Sequence, residues 1–429
     1  VAFAIIRSVR AAANTSSGNQ DFTVAGIGTP KAAQILVTSA TSSSGASAND
    51  RRISLGVTDG TFQGGSNGTD QDAVGTTVAT RAAFDDAVVR LPNPAGTTFE
   101  AVATFVSFIT DGIRINWTTA PPAAYIVHVV LWAGDNVQAK CGSVIPDVVG
   151  GTAVYTNVGF EPQHLVVSSS LDTFLDETFR SDFHLQVSHA INIAGVPTTY
   201  ALATTQRNGF SGAAPAVFRD DELATVIRAR NTPFVVGTAT NLDAVTPFDS
   251  TGFNVVSTGP AGTGPRIVYM ALSYGSKKYA LKVETAPNAT GSASFTGYGF
   301  RPGFAISIPT LCTSTWGANV SASDFQAGSY GYAHWSGSEQ WCANLLSEDV
   351  VATTNNNSRT QSKPVSLKYM DDASMYSEAT WVGFTADGFD LNYTTIDAAL
   401  GFRFLVFALE TEIVSGTGAG VLPLVAGAG

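Results

Sequence analysis

Positive charge is scarce in this chain and nowhere clustered. Lys and Arg number 23 among 429 residues, against 34 Asp and Glu, for a net charge of −11. A nucleic-acid groove needs a dense Lys/Arg field to displace counterions from phosphates, so nucleic acid is not an expected partner. Long apolar runs are missing too. A membrane-crossing helix needs about 20 consecutive apolar residues, and no such stretch occurs. The apolar opening Val1-Ala2-Phe3-Ala4-Ile5-Ile6 meets Arg7 and Arg10 before a signal-peptide core could form. The expectation is synthesis in a cytoplasm, without conventional export or a membrane partner. Cysteine is rare: Cys141, Cys312 and Cys342 have no metal-type spacing, and an odd number excludes a fully paired framework. Free buried thiols are expected, with a Cys312–Cys342 bridge as the alternative. Helical periodicity is almost absent, and only Asp221 to Arg230 suits a short helix, with a strand as the other option.

What the chain does have is repetition. Trp381-Val382-Gly383-Phe384, the turn Asp387-Gly388 and Phe389 to Tyr393 read as a hairpin, followed by a strand from Phe402 to Leu409. Asp-Gly between aromatic and branched residues is a hairpin signal, because glycine accepts the positive φ of the turn. Ser250 to Val256 followed by Ile267 to Leu272 repeats the pattern, as does Asp111 to Trp117 followed by Ile126 to Leu131. A second motif precedes each. Gly159-Phe160-Glu161-Pro162 and Gly299-Phe300-Arg301-Pro302 lead into the apolar strands Leu165 to Val167 and Ala305 to Ile308; Gly26-Ile27-Gly28-Thr29-Pro30 does so in a divergent first copy, with Ile27 in place of Phe. In this corner glycine turns the chain, the aromatic plugs a core, and proline denies a ladder hydrogen bond just before the strand.

Hydrophobic residues make up 44% of the chain and charged ones 13%, enough to give each copy a core and leave outer faces of Ser, Thr, Asn, Gly and Ala that suit packing against neighbours. Short strands with frequent turns predict an all-β fold of three tandem, jelly-roll-like β-sandwiches. The expected limits are an N-terminal arm at 1–19, repeats at 20–134, 151–275 and 291–411, connectors at 135–150 and 276–290, and a Gly/Ala-rich C-terminal arm at 412–429. Within the first repeat, Ser42 to Asn49 and Gly60 to Asp72 read as loops flanking an Ile53, Leu55, Val57 strand.

Reaction chemistry is hard to find. His184 and His189 lack zinc-binding helical spacing and, on a strand, point to opposite faces, so they read as surface or satisfied histidines. The acidic stretch Asp59 to Asp72 lacks the ligand order of a calcium loop and reads as solvated. Gly416 to Gly420 lacks the Lys-Ser/Thr of a phosphate loop, and there is no Gly-x-Ser-x-Gly elbow. Asp85-Asp86, Asp220-Asp221 and Asp371-Asp372 read as turn or edge charges. No catalytic residue, metal site or cofactor is therefore expected. One constellation stands apart: Trp316, Trp335 and Trp341 with His334, Glu339 and Gln340 in a Ser/Gly-rich setting. It would suit a sugar ring stacked on an aromatic, but core filling with an intersubunit contact is the favoured reading.

The Gly-Phe-x-Pro corners and the Asp-Gly-Phe hairpin resemble those of a loosely defined group of bacteriophage virion proteins, well in the second and third repeats and weakly in the first. The resemblance implies a β-rich particle component, located in the virion after synthesis in the host cytoplasm. The expected role is a non-enzymatic outer decoration, spike or tail-associated protein. Its terminal arms would hold it to other virion proteins of capsid or tail, with a homo-oligomer expected. The alternative is a receptor-binding fibre or adhesin that recognises a host-surface glycan through the third repeat.

Overall fold

The computed structural model describes residues 4–145, 152–155, 157–170, 177–193, 196–206, 208–209, 215–220, 227–229, 241–257, 266–309, 319–321, 327–336, 339–348, 353–368, 375–396 and 402–411. Trp316, Cys312, residues 221–226, the Gly416 to Gly420 run and the whole C-terminal arm 412–429 lie outside them.

The fold is all-β, and its sheets are antiparallel. Repeat 1 runs β1 (Ile5–Ala12), β2 (Gly18–Thr23), β3 (Pro30–Thr38), β4 (Ala48–Asn49), β5 (Arg51–Thr58), β6 (Gln63–Asp70), β7 (Ala79–Phe84), β8 (Val89–Pro92), β9 (Phe99–Ile109), β10 (Gly112–Thr119) and β11 (Ile126–Ala133). Repeat 2 runs β12 (Gln138–Val144), β13 (Thr152–Tyr155), β14 (His164–Ser169), β15 (Arg180–Ser181), β16 (Phe183–Ile193), β17 (Val196–Gln206), β18 (Pro215–Asp220), β19 (Ile227–Ala229), β20 (Asn241–Asp249), β21 (Gly252–Ser257) and β22 (Ile267–Ser273). Repeat 3 runs β23 (Tyr279–Thr285), β24 (Gly291–Phe295), β25 (Phe304–Pro309), β26 (Asn319–Ser321), β27 (Ala327–Ser336), β28 (Glu339–Glu348), β29 (Asn355–Gln361), β30 (Val365–Lys368), β31 (Met375–Thr385), β32 (Gly388–Ile396) and β33 (Arg403–Leu409).

Every repeat builds the same two sheets. The four-stranded one has the order β2-β10-β9-β8, β13-β21-β20-β19 or β24-β32-β31-β30. The seven-stranded one has the order β1-β11-β3-β5-β6-β7-β15, β12-β22-β14-β16-β17-β18-β26 or β23-β33-β25-β27-β28-β29-β4. Its seventh strand is always the fourth strand of another repeat. Repeat 2 lends β15 to repeat 1, repeat 3 lends β26 to repeat 2, and repeat 1 lends β4 to repeat 3, so the exchange closes on itself.

Two kinds of core follow. One kind lies between the two sheets of a repeat, as with Ile35, Leu91, Ile113, Trp117 and Leu131 in the first, and Trp335, Phe389, Leu391 and Phe404 in the third. The other is shared: Leu36, Leu55 and Trp132 of repeat 1, Leu185, Met270 and Leu272 of repeat 2, and Ile306, Tyr332 and Phe407 of repeat 3 belong to one buried cluster. The seven-stranded sheets are thus buried on both faces. That explains why β11 is a near-continuous apolar run, buried along its length, where a strand with one wet face would alternate.

The two sequence motifs prove to be bonded to each other. The hairpin carboxylate Asp387 accepts hydrogen bonds from Gly297 N (2.8 Å) and Gly299 N (2.5 Å) of the corner, and Asp111 accepts from Gly26 N (3.1 Å) and Gly28 N (2.9 Å). The corner amides hold the Asp387 carboxyl below the usual carboxylate range. In repeat 2 the bond is backbone only, Gly159 N to Thr251 O (3.0 Å). Gly28, Gly159 and Gly299 all have φ between +73° and +83°, a region that costs glycine nothing. This match aligns Gly28 with Gly299, so Ile27 takes the place of Tyr298 and not of the corner Phe.

Four sequence expectations are corrected. Residues 1–19 are not a free arm, because Ile5–Ala12 is edge strand β1, paired with β11; likewise the connectors at 135–150 and 276–290 contain edge strands β12 and β23, paired with β22 and β33. Nothing local marks these strands as belonging to a sheet completed more than 100 residues later. Gly60 to Asp72 is not a solvated loop but contains buried strand β6. Its glycines answer to packing: a Cβ on Gly65 would lie 2.1 Å from Leu55 O, and one on Gly68 would lie 2.6 Å from the Phe183 ring. Ser42 to Asn49 likewise holds β4, docked on repeat 3, where Thr360 Oγ1 donates to Ser42 O (2.8 Å). Of the stretch offered as helix or strand, Ile227–Ala229 is strand β19.

Candidate functional site

The residues with chemistry gather at the seams where one repeat meets the next. At the seam between repeats 3 and 1, Glu339 at the start of β28 reaches edge strand β1. Its Oε1 pairs with Arg7 Nη2 (2.6 Å) and its Oε2 accepts from Ser8 N (3.1 Å), while Ser336 Oγ donates to Ile6 O (3.1 Å) and Trp341 Nε1 to Ser8 Oγ (3.2 Å). The seam between repeats 1 and 2 follows the same plan: Asp59, just after β5, accepts from Cys141 N of β12 (2.9 Å) and lies 3.5 Å from Lys140 Nζ. Burial pushes the Asp59 carboxyl up, but bonds from Phe62 N, Cys141 N and Thr61 outweigh it and leave the group below its ordinary range. Between repeats 2 and 3, the Tyr279 hydroxyl of β23 donates to Asn192 O of β16.

The histidines are all inside. His128, His164, His189 and His334 stand on the faces that form the shared core; His184 is on the opposite face of β16 from His189, as its parity requires. His128 stacks on Trp341 (centroids 4.1 Å apart), and His334 lies 5.4 Å from the same ring. His164 stacks on Phe407 at 3.8 Å, its Nδ1 is 2.8 Å from the Tyr274 hydroxyl, and its Nε2 is 2.9 Å from His189 Nδ1. Burial lowers the pKa of all five, to about 3 for His184, His189 and His334. They are therefore neutral near pH 7, and one ring of the His164–His189 pair donates while the other accepts. The reading of His184 and His189 as surface or satisfied groups is corrected on one point: both are buried, and neither His184 ring nitrogen has a hydrogen-bond partner among the described residues.

A second polar feature sits between repeats 1 and 2. Arg51 and Asp70 form a buried pair (2.8 Å), with the guanidinium over the Phe183 ring at 4.3 Å. Burial raises the Asp70 carboxyl to about 7 against the pull of Arg51. Among the described residues, no three His, Cys, Asp or Glu side chains group as metal ligands would.

Trp335 is fully buried between the sheets of repeat 3, edge-on to Phe389 at 5.3 Å, and Trp341 is 2% exposed in the shared core. Neither presents an open ring face. His334, at 0% exposure, is equally enclosed. Glu339 and Gln340 are only part buried, and with Arg10, Thr23, Trp341 and Ser362 they line a cleft of about 440 Å³ at the 3–1 seam. Sequence reasoning missed Arg10, His128, His164 and the Arg51–Asp70 pair. The available signal was a polar residue interrupting an apolar run, as His128 does between Val127 and Val129.

No family model and no curated protein matches the sequence. Among solved structures, a candidate AttH protein from Nitrosomonas europaea aligns with 63% of this chain and 100% of its own, at 11% identity and a TM-score of 0.15. That likeness is too low to carry a functional argument.

Proposed function

We propose that this chain is a non-enzymatic structural component of a bacteriophage particle. It would act as three fused β-sandwich modules that offer similar outer sheets to neighbouring virion proteins of capsid or tail. The observation that carries this reading is the closed strand exchange among β4, β15 and β26. Three copies of one module, each completed by another and all sharing one core, amount to a homotrimer in one chain, a form suited to a site of threefold or pseudo-threefold symmetry. Reaction chemistry has no evident place in it, since the histidines and the Arg51–Asp70 pair are enclosed in packed interior. With β1 built into a sheet, attachment falls to the outer faces and to residues 412–429. Weak contacts at three similar faces would multiply when engaged together.

The test is to locate the chain in purified particles. We expect mass spectrometry to find it there and electron microscopy to place it, tagged, on or near a threefold or pseudo-threefold feature. Deletion of residues 412–429 should cut incorporation. Absence of the chain from purified particles overturns the reading, and normal incorporation of the truncated chain overturns the role given to that segment. A second reading, a receptor-binding adhesin, is favoured by one observation: the polar cleft at the 3–1 seam adjoins the residues that the sequence singled out for sugar recognition.

A further inference from the structure

The cleft between β1 and β28 contains a cation without a counter-ion. Arg10 stands on the face of β1 that turns to repeat 3, as do Ile6 and Ser8. Ile6 and Ser8 are covered by the β27–β28 hairpin, whereas Arg10 lies where the cleft opens. No carboxylate pairs with it among the described residues, and its buried Nη1 has no hydrogen-bond partner. Burial lowers its pKa from the ordinary arginine value, which leaves it a cation at any physiological pH. The register places Ser143 of β12, opposite Val268, and Val283 of β23, opposite Leu405, at the corresponding seam positions. The charge belongs to this seam alone, so the repeated fold does not require it. One guanidinium nitrogen, the buried Nη1, is thus left without a partner, which an anion in the cleft would supply.

We infer that this cleft binds a small polyhydroxylated carboxylate, a uronic acid or another acidic sugar, with Arg10 taking the carboxylate. The inference rests on the second reading above, sugar recognition at the third repeat, and specifies its ligand. About 440 Å³ falls within the range of roughly 300–1,000 Å³ for small-molecule sites and accommodates one or two sugar rings. The guanidinium fork matches a carboxylate through two parallel hydrogen bonds. Around it the wall is mostly polar, with Val9 and Val24 as its apolar part. The hydroxyls of Thr23 and Ser362 can donate or accept. Gln340 accepts from Trp381 N (2.9 Å) through Oε1, and its amide nitrogen makes no hydrogen bond among the described residues. Glu339, already neutralised by Arg7, still accepts from a sugar hydroxyl. A phosphate dianion fits less well, because Arg7 is committed to Glu339 and that carboxylate lines the same cleft. Stacking is not part of the recognition. Trp341 is covered by His128 and meets the cleft only at its edge.

The experiment is calorimetric titration of the full chain with methyl glucuronide, methyl glucoside and inorganic phosphate, for the wild type, Arg10→Met and Ser362→Trp, after melting curves establish that each variant is folded. Ser362 is exposed at the rim, so the second variant blocks the cleft without entering a core. The inference expects the wild type to bind the glucuronide at least roughly tenfold more tightly than the other two compounds, the gain from one charge-assisted pair, and both variants to lose that preference. Glucuronide binding retained by both variants overturns the inference while leaving sugar recognition to another surface. Equal binding of the glucoside or of phosphate overturns the chemical assignment. If no sugar binds, the inference and the adhesin reading fall together.

Discussion

Acidification should loosen the interior, because its five buried histidines, four of them in the shared core and His184 on the other face of β16, are folded in their neutral form. The sign follows from linkage. Each has a folded pKa depressed below the unfolded value near 6.5, so the unfolded chain takes up protons first; the stability these groups carry is whole above pH 6.5 and drains as pH falls towards the folded pKa. For His184, His189 and His334, with folded values of about 3, a drop to pH 4.5 costs ~3 kcal/mol each and ~8 kcal/mol together. His128 and His164 add in the same direction. Asp70 opposes them. Its carboxyl is raised to about 7, so it gains on acidification, by ~3 kcal/mol at pH 4.5. Asp50 and Glu284, raised by burial, act with it. The net loss is of order 5 kcal/mol, against a usual stability of about 5–15 kcal/mol.

A cooperative chain of this length has an unfolding entropy of roughly 0.9 kcal/mol per kelvin, so the melting temperature should fall by about 5 °C between pH 7.5 and pH 4.5. Circular dichroism melts at constant ionic strength would measure it. Stopping at pH 4.5 keeps carboxylates held low by hydrogen bonds, such as Asp59 and Asp387, out of the comparison. The variant His334→Phe, flanked by Phe304 and Trp341, should shrink the decline by roughly one histidine's share, about 3 °C. A melting temperature that is flat or rises across this range, or a His334→Phe profile parallel to the wild type, would refute the reasoning.

Two further outcomes bear on packing. Gly388→Ala should cost about 1–3 kcal/mol in chemical denaturation, since its Cβ would lie 1.8 Å from Phe295 O; Gly383→Ala on the neighbouring strand, with nothing within 4 Å of the added carbon, should stay within about 0.5 kcal/mol of wild type. Trp335→Ala, which empties a fully buried position in the third repeat, should cost about 3–5 kcal/mol, and equal melting curves for this variant and the wild type would contradict its place in the core.

The candidate site was only partly legible. Glu339, Gln340, Trp341 and His334 stood out in the sequence by composition and do adjoin the 3–1 seam, where Trp341 and His334 are buried and Glu339 and Gln340 only partly so. The aromatic is enclosed, the histidine is shielded from water, and the polar wall is completed by Arg10, more than 300 residues distant in the chain. The polar strand within Gly60 to Asp72 has the composition of a loop, which is why its pattern reads as one. Gln63–Asp70 is buried with its polar bonds inside its own repeat, as in the Arg51–Asp70 pair; Asn355–Gln361, equally polar and buried, bonds across the seam, as when Asn356 N donates to Asp72 Oδ1 (3.0 Å) and Ser358 Oγ to Asp50 O (2.8 Å).

By itself the sequence determined what short-range chemistry decides: the Asp-Gly hairpins, the left-handed glycine corners, the near absence of helix and the threefold recurrence of one pattern. Hairpin geometry is settled within a few residues, so it is written locally. Tertiary structure alone decided that β1, β12 and β23 are edge strands, that β4, β15 and β26 complete sheets in other repeats, and that four of the five histidines share one dry interior. Those outcomes rest on pairings between residues far apart in the chain, where each partner's local pattern is compatible with many neighbours and only the joint burial of three sheets selects one.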